Sequence, residues 1–406
     1  MKNLVRSLSV IPLLTVIYIS CTVSAVHGQP KKSTDHRNNF HLDFRAEPAP
    51  EWTGLFHRDS GWIGGDGLFS IPMNGVDTLG AGAHTETLIV FSDSFWGNKK
   101  DGKVTPGGQM TNNVVARVPK TPFGKAEIQF YSTWNSDDQR AAVFIPNTPH
   151  AEPGNYYWLG DGFINRERDN TLYIFAYRMK NTGAGVFGFK ECGNALIAVD
   201  ANEQPPFKQH RQLETPLFIP PSEGREGYSF GAGILVNTVW AGAPHPDGYV
   251  YVYGVRGMAK ELLVSRVLPK DFEDFGQWQY WTGNGWGSDI RDAEALTSGV
   301  SNELSMTPLS DGRFILTFQK NGIAPTIGLR VALSPTGPFG PLESVFECPE
   351  PLRKKSLFAY NAKAHPHLSR KGELLISYHV NSFEFLKDFN EEPDVFAPRF
   401  ISLIFE

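Results

Sequence analysis

Residues 159–178, LGDGFINRERDNTLYIFAYR, contain the pattern that decides the fold. A glycine-flanked start leads into an apolar run, a turn follows at Arg168-Asp169-Asn170, and the apolar strand TLYIFAYR returns to Arg178. A polar pair between two apolar runs is a strong β-hairpin signal. The segment therefore predicts two antiparallel strands, with Asp161 near the start of the first and Arg178 at the end of the second.

Four further segments repeat this two-strand unit, at residues 64–97, 231–256, 302–320 and 361–382. One or two more strand-like runs follow each hairpin, such as NNVVARV and EIQFYST after the first. Four strands per unit in five units predict an all-β, five-bladed β-propeller. The terminal segments FHLDFRAEP (40–48) and PRFISLIFE (398–406) are expected to close it as a single domain. A double β-sandwich is the alternative architecture.

The N-terminus has the pattern of an export signal. Lys2 and Arg6 precede an apolar core at residues 8–19, which is too short to span a bilayer comfortably. The pattern predicts a signal peptide at residues 1–28, a polar tether at 29–39 and the propeller domain at 40–406, with no transmembrane segment. The product is expected to be exported, either periplasmic or secreted, and Cys21 offers the alternative of an outer-membrane lipoprotein.

Composition narrows the partners. The net charge is −5 and no long basic run occurs, so nucleic acid is not an expected partner. Cys192 and Cys348 either pair or remain two thiols. No cofactor or catalytic metal is expected, because His365 and His367 share a strand face without an acidic third ligand nearby. A structural calcium ion on the propeller axis stays open.

Polar residues converge if the five units are blades. In a propeller the start of the first strand and the end of the second strand of every blade lie at the same rim. Glycosidic hydrolysis needs two carboxyl groups on opposite sides of the bond, and crowded carboxyls raise one another's pKa. The hypothesis takes Asp66 and Asp93 as that pair and Asp161 and Glu303 as a third acid or a substrate-binding carboxylate. The predicted substrate contacts are Trp96, Arg178, Arg256, Gln319, Lys363, His365 and His379.

Two of these residues have simpler interpretations. An aspartate beside glycine at a strand start, such as Asp161, is often only a turn residue. Trp96 either stacks on a sugar or packs between blades.

The two ends of the repeat array resemble a known group. GWIGGDGLFSIPM (61–73) with TLIVFSDSFWG (87–97), and YNAKAHPHLS (360–369) with ELLISYHVNS (373–382), resemble the first and last blades of a domain-of-unknown-function group related to endo-D-arabinanases. The resemblance implies a cofactor-free hydrolase of a glycan, with its two first-blade aspartates at Asp66 and Asp93. The chain departs from the group's pattern at His379, where asparagine is expected.

The sequence thus predicts an exported glycoside hydrolase acting on an arabinan-like or related poly- or oligosaccharide. A non-catalytic carbohydrate-binding propeller is the first alternative. A polysaccharide lyase that uses His379, Tyr253 and Arg256 is the second.

Overall fold

The computed structural model describes residues 38–120, 124–183, 185 and 187–406. These residues belong to a single compact unit. The predicted signal peptide, Cys21 and most of the predicted tether lie outside them. No helix in the described part of the chain has the length and apolar character needed to cross a membrane.

Five antiparallel sheets contain most of the strands. Sheet 1 consists of Phe69–Pro72, Thr87–Phe91, Val114–Val118 and Gln129–Tyr131. Sheet 2 consists of Tyr156–Asn165, Thr171–Asn181, Phe189–Val199 and Arg211–Glu214. Sheet 3 consists of Phe218–Ile219, Tyr228–Asn237, Tyr249–Arg256, Glu261–Val267, Gln279–Trp281 and Trp286–Gly287. Sheet 4 consists of Leu304–Pro308, Phe314–Gln319, Thr326–Ala332 and Glu343–Glu347. Sheet 5 consists of Leu357–Ala364, Glu373–Ser382, Arg399–Phe405 and Phe44–Pro48.

Short elements fill the connections. Additional strands are Ser60–Gly65, Ser94–Lys100, Lys103–Val104, Gln109–Thr111, Thr133–Trp134 and Arg140–Ala141. The α-helices are Pro50–Phe56, Pro349–Arg353 and Phe385–Glu391. The 3-10 helices are Asn38–Phe40, Ala81–His84, Lys125–Glu127, Pro269–Asp271, Phe275–Gln277, Ile290–Asp292, Pro366–Leu368 and Pro393–Phe396.

The hairpin at residues 159–178 forms as its turn chemistry predicts. Asp169 and Asn170 have φ angles of 53° and 58°, in the left-handed region. Asp and Asn tolerate this region better than other non-glycine residues, and two such residues in succession match the twist of the flanking strands. Strand Tyr156–Asn165 pairs with Thr171–Asn181, and a bulge between Leu159 and Gly162 contains Asp161.

The first hairpin differs from its prediction after Phe91. The predicted return strand continued from residue 87 to 97, but sheet 1 keeps only Thr87–Phe91. Ser94–Lys100 instead pairs with Ser60–Gly65 in a separate small sheet. Gly67 turns the chain between the two sheets with φ of 66°, and an added Cβ there would lie 2.6 Å from the Ser92 hydroxyl. The turn therefore requires glycine and allows the chain to change sheets beside Asp66 and Asp93.

Apolar side chains pack between successive sheets. Four clusters lie between sheets 1 and 2, 2 and 3, 3 and 4, and 4 and 5. A fifth joins sheet 5, through Leu375 and Phe400, to Ile89 and Phe91 of sheet 1. Phe44–Pro48 pairs with Arg399–Phe405 and becomes the outer strand of sheet 5. The all-β prediction is confirmed, whereas the blade count and ring closure remain predictions. Cys192 and Cys348 are free thiols.

Candidate active site

Asp66 and Asp93 face one another across the start of sheet 1. The Asp66 amide donates to the Asp93 carbonyl at 3.0 Å, and the Ser92 amide donates to the Asp66 carbonyl at 2.8 Å. Both aspartate side chains are half-buried. The backbone pairing therefore places Asp66 and Asp93 next to one another at the edge of the core.

Each aspartate accepts hydrogen bonds from a neighbouring sheet. The Tyr360 hydroxyl of sheet 5 donates to Asp66 Oδ2 at 2.5 Å, and Asn381 Nδ2 donates to the Tyr360 hydroxyl at 3.3 Å. Trp158 Nε1 of sheet 2 donates to Asp93 Oδ1 at 2.9 Å, and Asn112 Nδ2 adds a second bond at 3.2 Å. Sheets 5 and 2 thus flank the pair, one on each aspartate.

These surroundings separate the pKa values of the two carboxyl groups. Burial, then the Asp93 charge, raises the pKa of Asp66 well above its ordinary value, although the Tyr360 hydrogen bond opposes the rise. Burial raises the pKa of Asp93 to about 6, and the Trp158 and Asn112 hydrogen bonds limit that rise. Two carboxyl groups with divergent pKa values are suited to acid and base roles at the same pH. The surroundings therefore favour the proton on Asp66, whereas two hydrogen bonds favour the anion of Asp93.

Lys363 and Glu303 form a buried ion pair beside these aspartates. Lys363 Nζ contacts Glu303 Oε2, and it lies 3.5 Å from the centre of the Phe69 ring. Burial lowers the pKa of Lys363, and the charges of Glu303, Asp161 and Asp66 raise it. Burial raises the pKa of Glu303, and Lys363 opposes that rise. Lys363 therefore lies among three carboxyl groups, those of Glu303, Asp161 and Asp66.

Asp161 bridges two sheets through backbone amides. Its Oδ1 accepts from the Gly162 amide at 2.8 Å, and its Oδ2 accepts from the Ile234 amide of sheet 3 at 2.7 Å. Burial raises its pKa to about 7, although both bonds oppose the rise. Both carboxyl oxygens thus accept hydrogen bonds from backbone amides. Asp161 is therefore observed as a turn residue that also links sheets 2 and 3. Its electrostatic contact with Lys363 keeps it in the same acidic group.

The two predicted histidines are buried, His379 within sheet 5 and His365 directly after its strand Leu357–Ala364. His365 bonds to the Ser70 hydroxyl through Nδ1 and to the Ser377 hydroxyl through Nε2, both at 2.7 Å. His379 lies with its ring centre 6.0 Å from that of Tyr360, and neither of its ring nitrogens has a hydrogen-bond partner among the described residues. Burial, reinforced by the Lys363 charge, lowers the pKa of both imidazoles well below 6.5. Both are therefore neutral.

The structure does not bring the two predicted arginines to the acids. Arg178 Nη1 donates to Glu214 at 2.8 Å and to Thr148 at 2.7 Å. Arg256 donates to Glu261 at 2.6 Å and to the Ala293 carbonyl at 2.9 Å. Arg256 ends its strand as predicted, whereas the strand of Arg178 continues to Asn181. Both side chains turn toward a carboxylate of their own sheet. Their partners were not apparent from strand spacing.

Trp96 and Gln319 are also held by structural partners. Trp96 is 6% exposed, donates to the Thr111 hydroxyl at 3.3 Å, and has the Arg140 guanidinium 3.9 Å from its ring centre. Gln319 is fully buried and donates to the Ala324 carbonyl at 2.5 Å. For Trp96, the packing interpretation is the one observed.

Several site residues had no signal in the repeat pattern. The prediction used only the start of the first strand and the end of the second strand of each unit. It therefore did not select Tyr360, Trp158 or Asn112, which occupy other positions. Glu191 is also part of the acidic group: the Ser229 hydroxyl donates to its Oε1 at 2.7 Å, and burial raises its pKa to about 8. Burial and the charges of Glu191, Glu303 and Asp161 all raise the pKa of Tyr177, which places these three acids around one phenol.

A narrow space adjoins Asp161 and Lys363. A cavity of about 20 Å³, enough for roughly one water molecule, is lined by Asp161, Lys363, His365, Ser305 and neighbouring residues. Within the described ranges, no group of three or more His, Cys, Asp and Glu side chains is arranged to hold a metal ion. Two neighbouring carboxyl groups with raised pKa values are groups that can donate and accept a proton near neutral pH.

Of three solved structures similar to this chain, the first shares its fold. The chain is similar to a presumed hydrolase from Bacteroides ovatus, with 18% identity, a TM-score of 0.69, and coverage of 91% of this chain and 92% of that one. An α-L-arabinofuranosidase from Podospora anserina, solved with cellotriose, matches at 11% identity and a TM-score of 0.46, covering 89% and 96%. An α-L-arabinofuranosidase from Clostridium thermocellum matches at 15% identity and a TM-score of 0.41, covering 77% and 82%.

Sequence comparison identifies the family. No curated protein matches the chain. The model of the DUF5005 family, a domain of unknown function, matches residues 50–404. This range contains the acid pair, its hydrogen-bond donors and all five sheets apart from the outer strand Phe44–Pro48. The chain belongs to the DUF5005 family.

Proposed function

We propose that this protein is a glycoside hydrolase in which Asp66 and Asp93 perform the chemistry. The observation that carries the proposal is the unequal environment of two adjacent carboxyl groups. Burial and the neighbouring Asp93 charge raise the pKa of Asp66, whereas Asp93 receives two hydrogen bonds that favour its anion. Cleavage of a glycosidic bond requires such a pair, one neutral and one ionised.

Asp66 is the proton donor in this mechanism. Its carboxyl proton passes to the glycosidic oxygen as the bond to the anomeric carbon breaks, and Tyr360, held by Asn381, orients the carboxyl group. Asp93 either attacks the anomeric carbon or takes a proton from the attacking water. A carboxyl separation of about 5–5.5 Å would give retention and about 6.5–9.5 Å inversion, so product stereochemistry distinguishes these two courses.

The remaining charged groups maintain this division. Glu303 adds to the negative field that raises the pKa of Asp66, and Lys363 limits it. Neutral His379 lies behind Tyr360 and completes the packing on that side. Asp161 fixes sheets 2 and 3 beside the acids and adds charge near Lys363. These residues set protonation states and positions, while the Asp66 and Asp93 carboxyl groups contact the substrate.

The architectural part of the proposal is a five-bladed propeller closed by both termini. It is supported by five sheets that share apolar clusters in succession, including one between sheet 5 and sheet 1. The pairing of Phe44–Pro48 with Arg399–Phe405 supports the closure. The fold shared with the Bacteroides ovatus hydrolase is consistent with a hydrolytic function.

The proposed substrate is an arabinan-like or related neutral glycan, reached after export. The resemblance of residues 61–73, 87–97 and 360–382 to the endo-D-arabinanase-related group supports the substrate class. The charged start and apolar core of residues 1–28 support export, with lipidation at Cys21 as the alternative. A lyase is not proposed, because Tyr253 donates to the Pro335 carbonyl and Arg256 pairs with Glu261.

Reducing-end release from arabinans, fructans, galactans and sulfated algal glycans tests the proposal. Asp66→Asn and Asp93→Asn should each abolish activity on the substrate that the wild type cleaves, with binding retained. Asp169→Asn is the matched control, because Asp169 is an exposed turn residue whose left-handed backbone suits asparagine. Cleavage that survives both site substitutions would refute the assignment. Binding without cleavage by the wild type would establish the carbohydrate-binding alternative instead.

A further inference from the structure

A chain of aromatic rings connects sheets 2 and 5 beside the acid pair. We call Phe187, Phe189, Phe358 and Phe383 the aromatic lip. Phe187 lies between two strands of sheet 2, yet its ring centre is 6.1 Å from those of Phe358 and Phe383 in the sheet 5 region. It is 6.4 Å from that of Phe189, and Phe358 and Phe383 are 4.8 Å apart. Sheets 2 and 5 are not consecutive in the chain, so the lip is a long-range contact between them.

Both ends of the lip reach the residues that bond to the acids. The Phe189 ring centre is 4.5 Å from that of Trp158, which donates to Asp93. The Phe358 ring centre is 5.4 Å from that of Tyr360, which donates to Asp66. Asp66 and Asp93 are hydrogen-bonded to one another through their backbones, so these contacts form a closed ring of neighbouring residues. The two aspartates lie on one side of this ring, and the phenylalanines of the aromatic lip lie on the other.

Two rings of the lip remain open to solvent. Phe187 is 56% exposed and Phe383 is 49% exposed, whereas Phe358 is only 6% exposed. An exposed aromatic cluster beside polar groups marks a surface that a ligand covers. A sugar ring suits this surface because it has an apolar C–H face and a hydroxyl edge. Each described ring contact that forms the lip joins two phenylalanine side chains, so the surface offered to the sugar is apolar.

We propose that the aromatic lip is a binding subsite for a neutral sugar residue of the substrate glycan. The apolar face of the sugar stacks on Phe187 and Phe383, and its hydroxyl groups turn toward the acid pair. The inference rests on the proposed function, because it takes the occupant to be the glycan that Asp66 and Asp93 cleave. It adds a specificity element that no repeat position predicted.

Binding measured apart from cleavage tests the lip. Arabinopentaose and galactopentaose are titrated calorimetrically into the Asp66→Asn protein, alone and with Phe187→Ala and Phe383→Ala added together. The added substitutions should weaken binding and raise the dissociation constant about tenfold or more. Trp134→Ala is the control, because Trp134 is an aromatic residue that is 57% exposed outside the lip; it should leave affinity unchanged.

The outcomes separate this inference from the proposed function. Lip-dependent binding by a protein that cleaves nothing would reject the hydrolase and keep the subsite. Cleavage with an unchanged KM in the lip double variant would reject the subsite and keep the hydrolase. Failure of the Asp66→Asn parent to bind either oligosaccharide would overturn the subsite. A dimer that dissociates when Phe187 and Phe383 are replaced would also overturn it, by assigning the lip to a second copy of the chain.

Discussion

Replacing Trp158 with phenylalanine should shift the acidic limb of the pH–activity profile. The indole N–H donates to Asp93 Oδ1 at 2.9 Å and thereby favours the Asp93 anion. Phenylalanine keeps a ring against Phe189 but removes the donor. A hydrogen bond to a charged group is worth about 1.5–3 kcal/mol, and one pKa unit corresponds to about 1.4 kcal/mol. Trp158→Phe should therefore raise the pKa of Asp93 by about one unit or more.

The sign of the effect depends on pH. With the Asp93 pKa at about 6, a one-unit rise lowers the ionised fraction at pH 6 from about one half to about one tenth. The value of kcat/KM should fall about fivefold at pH 6 and change little at pH 8, where most Asp93 is ionised in both proteins. The measurement is kcat/KM from pH 4 to 9, by reducing-end release on the glycan that the wild type cleaves.

Trp240→Phe provides the matched control. Trp240 also donates its indole N–H to a carboxylate, Glu167 Oε1 at 3.1 Å, in another part of the structure. Its substitution should leave the pH profile in place. A Trp158→Phe profile that loses activity equally at all pH values, or whose acidic limb does not move, would refute the role assigned to Asp93. The same shift in the Trp240 variant would show that the effect is not local.

Three further predictions concern groups around the site. Glu191→Gln should raise the unfolding temperature above that of the wild type at pH 9. Burial raises the Glu191 pKa from 4.5 to about 8, so the wild-type protein loses stability as the pH rises from 4.5 to 8, whereas glutamine stays neutral. The gain should vanish below pH 4.5, and a gain seen only at acidic pH would contradict the prediction. Lys363→Met should lower the free energy of unfolding by about 3–5 kcal/mol, because it leaves Glu303 unpaired. Adding Glu303→Gln should recover much of that free energy in urea unfolding, and purely additive losses would argue against an interaction between Lys363 and Glu303. Arg178→Lys should lower stability and spare kcat, because Arg178 is tied to Glu214; a lower kcat with full stability would return Arg178 to the site.

The predicted hairpins formed because their signals are local. The turn residues Asp169 and Asn170 adopt left-handed backbone angles, and the apolar strands on either side pair with one another. The same local signals located Asp66 before the first strand and Asp93 after the second strand of one hairpin, at the same rim. The prediction failed after Phe91, where the chain leaves sheet 1 for a different partner strand. A change of partner depends on what packs alongside and has no periodic signal.

Strand position alone did not predict which partners the long side chains contact. Lys363 and Glu303 converge as predicted, but Arg178 and Arg256 pair with Glu214 and Glu261. A position at the end of a strand determines at which rim of the sheet a residue lies. It does not determine the direction in which a long side chain points. That direction is decided by which carboxylate lies within reach, a property of neighbouring strands and connections.

The sequence by itself determined the all-β class, the hairpins and the candidate acid pair, because alternation, turn residues and hairpin geometry act over a few tens of residues. Only the tertiary structure decided which groups control that pair. Tyr360 lies 294 positions from Asp66 and Trp158 lies 65 positions from Asp93, yet each donates to its aspartate. Hydrogen bonds and burial from neighbouring sheets set the two pKa values, and sheet packing alone brings such distant residues together.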